Sequence, residues 1–381
     1  MIVRQLKAQT IPTSAGIETI QVTVNKKYHG SAPVGLSNGK KSVLPFPSAG
    51  ISLNMINTIL DKALSGFSFN KFEDLKIVEQ LLFDFDKSEK LEKLGGNVVI
   101  ALEYALLRAA AEDKPVWKFL NPYAHELPVP IGVCISGGKH HKEGCDFQEF
   151  LVIPHGQAFQ DNIFVNQYVY NQIDKYLRPL QRSGSGAWVV PLDSVAILDA
   201  LRKIQEEVFD KFSVPVGLGV DVAASHLYSG GYYFYAKGKL DREQQIKHIN
   251  MLISRYELEY MEDPVEENDT DGFDKIKGDY ICGDDLVCSN LDQLREVRGK
   301  INSVIVMPNS AGSLLKTKAI IDYAQQNFIV PILSYRAGET MDDMLAELAV
   351  GWNVPYIKLG VFGKESLRKI HRLQEISKEM G

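Results

Sequence analysis

Apolar and polar side chains alternate from Ile17 to Asn25 (IETIQVTVN), the period of a half-buried strand. The run Asn97 to Asp113 (NVVIALEYALLRAAAED) instead spaces its apolar residues in the helical manner and is rich in strong helix formers. Together they predict an α+β unit over the first 120 or so residues. The stretch NPYAHELPVP, Asn121 to Pro130, breaks both periods and reads as a boundary. The expected division is an N-terminal α+β capping domain over 1–122 and a second domain over 127–381.

From about residue 216 the pattern becomes rhythmic, with short β-branched runs alternating with amphipathic segments, as βα units require. VGLGVDV, YELEYMED, YICGDD, SVIVMPN, FIVPILSYR and YIKLG are the strand candidates. LLKTKAIIDYAQQN and MDDMLAELAVGW are helix candidates, the second with an apolar stripe at Met341, Met344, Leu345, Leu348 and Ala349. Two earlier runs, PVPIGVCI and FQEFLVIP, bring the strands to eight, which favours a closed (β/α)8 barrel over a doubly wound open sheet. The fold class is α/β.

Composition agrees: 381 residues, 45% hydrophobic and 24% charged, suit a globular chain of two domains. The net charge of -6, without a basic run, disfavours nucleic acid as a partner. No stretch supplies the ~20 apolar residues of a membrane helix, and MIVRQLKAQT lacks a signal-peptide core, so a cytoplasmic protein away from membranes is expected. Cys134, Cys145, Cys282 and Cys288 are too few and scattered for a disulfide framework and read as reduced thiols.

In a barrel of this kind chemistry collects at the C-terminal ends of the strands. Three successive apolar runs end there in acids: Asp221 after VGLGV, Glu262 after YELEYM, and Asp284 with Asp285 after YICG. Converging carboxylates suit a hard cation such as Mg²⁺, which leaves its other positions to water and substrate. Acids after strands also serve as helix N-caps and turn residues, and spacing alone leaves both readings open.

At these residues the sequence resembles the enolase family. VDVAAS, MEDPVEEND, CGDDL, SYRAGET and IKLG look like that family's metal- and substrate-binding segments in their order. LPVPIGVCISGGKH with FQEFLVIP resembles its first two barrel strands and their mobile loop, and APVGLSNG its lid loop. The resemblance implies a homodimer or higher homo-oligomer, an enolase-type modified barrel beneath an N-terminal cap, and a small phosphorylated carboxylate as ligand. It places the first Mg²⁺ on Asp221, Glu262 and Asp284, and matches Ser37 to the lid residue that meets a second Mg²⁺ and the phosphate. Ser334 and Arg336 match the phosphate-binding pair, in keeping with the bidentate bonds a guanidinium makes to phosphate. Lys358 matches the lysine facing the substrate carboxylate, and His140 and Glu149 the loop histidine and inner carboxylate near the leaving hydroxyl.

Three positions depart from the family. Its base, a lysine after the sixth barrel strand, is replaced by Met307 in SVIVMPN. Its acid, a loop glutamate, falls on Gly186 when GSGAWVVP is matched at the proline, and Tyr335 stands where the family has a histidine. A thioether accepts no proton, and one proton-transfer group contributes typically 10²–10⁴ in rate. Ordinary dehydration of 2-phosphoglycerate is therefore expected to be weak or absent. Three readings stay open: an enolase with a rearranged proton path, with Lys358 as base and Glu149 as acid; a related Mg²⁺-dependent lyase or isomerase on another small phospho- or phosphono-carboxylate; and a non-catalytic homologue that binds a metabolite or partner.

Overall fold

The computed structural model describes residues 1–35, 42–45, 49–141 and 143–380. At the N-terminal end, β1 (Leu6–Pro12), β2 (Glu18–Val24) and β3 (Tyr28–Ser31) form an antiparallel sheet in sequence order. Helix α1 (Gly96–Ala111) packs across it. The contact is close at Gly30, where a Cβ would stand 2.2 Å from the Ala101 carbonyl oxygen, so only glycine fits. All but two residues of α1 are buried, because the sheet covers one side of it and the second domain the other.

Eight strands then close a barrel: β4 (Val129–Ser136), β5 (Glu149–Pro154), β6 (Val216–Asp221), β7 (Tyr260–Glu262), β8 (Tyr280–Gly283), β9 (Ser303–Val306), β10 (Val330–Ser334) and β11 (Tyr356–Gly360). The strand β11 pairs back onto β4, which removes every open edge and bears out the closed barrel over the open sheet. Every neighbouring pair is parallel except those of β5, which runs antiparallel to both β4 and β6. A parallel return needs a crossover of a dozen or more residues, usually a helix. The twelve residues 137–148, in which the described residues hold only the short turn Gly138–His140, connect strands that pair antiparallel, so the chain doubles back as a hairpin. Two helices, α2 (Phe159–Leu177) and α3 (Ser194–Phe212), consequently follow β5 before β6 begins.

The later units follow the predicted rhythm with two corrections. Helix α4 (Arg242–Tyr256) absorbs the start of YELEYMED; Glu257 caps it in the left-handed conformation, and the strand keeps only Tyr260–Glu262. Beyond α5 (Leu314–Gln326), helix α6 spans Met344–Gly351, so Met341 lies outside it and is 52% exposed. Every residue of α6 is buried, because α6 is wedged between the C-terminal helix and Val116–Leu120 instead of presenting one polar face to water. Between β6 and α4 a small three-stranded sheet, within 228–240, has no counterpart in the predicted pattern.

The barrel interior is a packed core. Ile131, Val133, Leu151, Ile153, Tyr260, Cys282, Ile305 and Ile332 point inward at the alternate positions that strands allow. Each aliphatic side chain buried this way stabilises the fold by roughly 1.5–3 kcal/mol. Cap and barrel are also joined by charge: Arg108 of α1 forks onto Asp342 at 2.8 and 2.7 Å and reaches Asp343 at 2.8 Å. Burial works against that guanidinium's charge, but the two aspartates outweigh it and hold Arg108 protonated. Glu103 and Glu79 accept the first amides of α5, Leu314 N at 2.7 Å and Leu315 N at 3.3 Å. The four cysteines are buried thiols, and among the described residues no helix is long and apolar enough to cross a membrane.

Candidate active site

The C-terminal rim of the barrel is where the anticipated residues meet. Asp221 and Glu262 are the last residues of β6 and β7 and stand side by side in register, while Asp284 follows the end of β8. Ser334 ends β10, and Lys358 beside it lies on β11. Glu149 joins them because β5 is antiparallel: its first residue, not its last, reaches this rim, opposite Ser136 and Asp221.

At the centre sits the Lys358 ammonium, 2.7 Å from Glu262 Oε2, 2.9 Å from Glu149 Oε2 and 3.6 Å from Asp221 Oδ2. Burial pulls its pKa down, but Glu149, Glu262 and Asp221 push it well above the usual lysine value, so the group stays charged. The acids respond to the same burial and to one another. Burial raises Asp221 to about 6 against the pull of Lys358, and burial with the Asp221 charge raises Glu262 to about 7. Asp284 is raised by burial and by Glu262 and Asp285, and Glu149 by burial. Asp221 further accepts from Gln148 Nε2 and Ala223 N, both at 2.9 Å, and Glu262 accepts the Tyr260 hydroxyl at 2.5 Å.

Above this cluster opens a cavity of about 250 Å³. Glu149, Asp221, Asp284 and Lys358 line it, together with Ser334, Tyr335 and Arg336. Arg336 is buried, donates through Nη1 to Ser310 Oγ, and its backbone N–H reaches Glu339 Oε1 at 3.2 Å. Ser37 lies outside the described residues, as does the His140 side chain, of which only the backbone in the turn Gly138–His140 is described.

Periodicity gave no sign of several groups. Asp263 is buried with φ +41 and accepts the Asp284 and Asp285 amides at 3.1 and 2.7 Å, bracing the loop between them. His141, His226 and Gln148 line the cavity, and so do Ser14 and Ala15 from the β1–β2 turn, far away in sequence. Apart from Ala15, each is a single polar residue outside the barrel strands and long helices, where no repeat exposes its role.

Met307 also lines the cavity, immediately after β9. Gly186 does not, contrary to its expected place at the acid position. It turns away at φ +89, its carbonyl accepts the Tyr170 hydroxyl at 2.5 Å, and a Cβ there would lie 2.6 Å from the Phe362 carbonyl oxygen. The loop presents Ser183, Gly184 and Ser185 to the cavity instead, still without a carboxylate. Tyr335 is raised by burial and by Glu149, so its phenol is a poor proton relay near neutrality. Asp285, also on the wall, is not an isolated carboxylate.

Among the described residues no three acids, imidazoles or thiols stand in a ready-made metal-binding arrangement. The Lys358 ammonium lies among three of the acids, 2.7 Å from Glu262, 2.9 Å from Glu149 and 3.6 Å from Asp221. The donor set nevertheless suits a hard divalent cation: oxygen-only, buried, and carrying more negative charge than one lysine offsets, as the raised Asp221, Glu262 and Asp284 register.

Comparison with known proteins accounts for both parts of the chain. Residues 3–120 match the family model for the enolase N-terminal domain, and residues 124–381 that for the enolase C-terminal TIM barrel domain. The enolase of Methanothermobacter thermautotrophicus is 33% identical, over 100% of this chain and 97% of that protein. Those of Picrophilus torridus and Pyrobaculum aerophilum are 31% and 33% identical, over 99% and 92% of this chain and 99% and 88% of theirs. A barrel with one antiparallel strand, an acid cluster on its rim and two family models that together span nearly all of it place this chain in the enolase family.

Proposed function

We propose that the chain is an Mg²⁺-dependent binder of a small phosphorylated carboxylate of the 2-phosphoglycerate or phosphoenolpyruvate type, in which ordinary dehydration is weak or absent. The observation that carries this reading is the pairing of Met307 on the cavity wall with a Lys358 amine held protonated by three carboxylates. A charged ammonium donates hydrogen bonds but takes no proton, and a thioether does neither. Lys358 therefore suits a substrate carboxylate better than the role of general base.

In this reading Asp221, Glu262 and Asp284 hold Mg²⁺, with Lys358 displaced toward the cavity and the bound acid. When bound, the ion would neutralise the carboxylates and polarise the substrate carboxylate as an electrophile. Arg336, Ser334 and Ser37 receive the phosphate, while Glu149 and His140 sit near the substrate hydroxyl. The division into a cap over 1–122 and a barrel over 127–381, and assembly as a homodimer, belong to the same proposal.

The test measures phosphoenolpyruvate formation from 2-phosphoglycerate at saturating Mg²⁺ beside thermal melts with each ligand. Silence in turnover together with stabilisation by Mg²⁺ plus 2-phosphoglycerate is expected, since a ligand that prefers the native state must stabilise it. Turnover at ordinary enolase rates overturns the reading. A second reading has one observation in its favour: His141 and His226 both line the cavity, and imidazole is the side chain suited to proton transfer near neutrality. Slow turnover with a pH profile abolished by His226→Gln or His141→Gln would favour it.

A further inference from the structure

The phosphate end of the cavity is built on residues 335–340, and this loop is held from the N-terminal domain. Ser14 at the tip of the β1–β2 hairpin contacts Glu339 twice: its N–H donates to the Glu339 carbonyl at 2.8 Å, and its hydroxyl accepts the Glu339 N–H at 3.1 Å. The Glu339 carboxylate then gathers the loop from the other side. It accepts the Arg336 amide at 3.2 Å, the Thr340 amide at 3.2 Å and the Lys369 ammonium at 2.8 Å. A third strut joins Val34 N to the Gly338 carbonyl at 2.9 Å. Gly35 lies flat on the guanidinium, where a Cβ would be 3.0 Å from Arg336 Nε.

The tip itself is closed by its own hydrogen bonds. Thr13 and Ile17 are bonded across it through the Thr13 N–H and hydroxyl, each at 2.9 Å to the Ile17 carbonyl, and Gly16 N reaches the Thr13 carbonyl at 3.0 Å. Glu339 is buried, so its amide has little recourse to water if the Ser14 oxygen is removed.

We propose that Ser14 is a positioning residue for the anion end of this cavity, fixing through Glu339 the loop that carries Arg336. The proposal rests on the reading that Arg336 receives the substrate phosphate. The hairpin tip thereby makes the cap part of the site rather than a cover over it.

The test compares Ser14→Ala, which deletes the hydroxyl, with Ser14→Thr, which keeps it. Dissociation constants are measured by calorimetry for Mg²⁺ alone, for 2-phosphoglycerate with Mg²⁺, and for inorganic phosphate. Loss of a hydrogen bond that leaves a buried amide unpaired should weaken both anions by about tenfold in Ser14→Ala. Mg²⁺ affinity should stay at the wild-type value, and threonine should restore the anions. Unchanged anion affinity, or a parallel fall in Mg²⁺ affinity, overturns the proposal. Wild-type protein that binds neither anion overturns the parent reading of Arg336. The clamp is then judged on amide hydrogen exchange in the ligand-free chain, where Ser14→Ala must exchange faster at Glu339 than wild type or the clamp itself is refuted.

Discussion

Replacing Lys358 by methionine removes the one ammonium that, among the described residues, is paired with the rim carboxylates, and leaves a side chain of similar bulk. Its shortest contact, 2.7 Å to Glu262, is worth about 6 kcal/mol at an effective dielectric constant near 20, and those to Glu149 at 2.9 Å and Asp221 at 3.6 Å only somewhat less. Most of this is offset by the cost of keeping a lysine dry, so the expected net loss is about 3–5 kcal/mol, the usual effect of stripping one partner from a buried ion pair. The four side chains are 1–17% exposed, so solvent screening does little to reduce it. With an unfolding entropy of about 2.1 cal/mol/K per residue over 381 residues, the loss corresponds to a melting temperature about 4–6 °C lower. The melt belongs at pH 8, above the values of about 6 and about 7 that Asp221 and Glu262 have beside Lys358 in the wild type. Mg²⁺ should stabilise Lys358→Met more than wild type, because in the variant no ammonium competes for the same oxygens. A variant melting within about 1 °C of wild type in metal-free buffer would refute the ion-pair argument, being well inside the expected range. Equal Mg²⁺ shifts in both proteins would refute the shared position of ion and ammonium.

Three further outcomes follow from single positions. Met307→Lys should raise phosphoenolpyruvate formation by at least about 10², the low end for one proton-transfer group, whereas Met307→Gln should not; both are read from initial rates at saturating Mg²⁺. Gly186→Ala should lower stability by about 1–3 kcal/mol in urea unfolding without changing ligand affinity, because φ +89 and the Phe362 carbonyl leave no room for a Cβ. Glu103 is raised well above a normal glutamate by burial and by Glu79, against the opposing pull of the Leu314 N–H and of Lys316. The folded state thus binds its proton more tightly than the unfolded state, and stability falls as pH rises through the interval above the unfolded pKa near 4.3. Glu103→Gln should flatten that fall, by up to about 1.4 kcal/mol per pH unit in denaturant titrations, and an unchanged slope would disprove the assignment.

The strand runs were legible because a barrel strand buried on both faces reads as a short apolar stretch, and the acids Asp221, Glu262 and Asp284 stood out at the ends of three successive runs. Lys358 and Arg336 were found through resemblance, since one cation within an apolar run has no period of its own. Direction, partner and facing were not legible. The antiparallel course of β5 follows from the shortness of residues 137–148 and decides that Glu149 joins the rim. Gly186 and Ser185 are adjacent in sequence, yet backbone torsion and the Phe362 carbonyl turn one away while the other faces the cavity. The chain's periodicity determined which segments are strands and helices, because burial of a repeating face is a local property of the sequence. Only the tertiary structure decided that Lys358 meets three acids and that Ser14 meets Glu339, 325 residues further on, because both depend on how the barrel closes and how the cap lands on it.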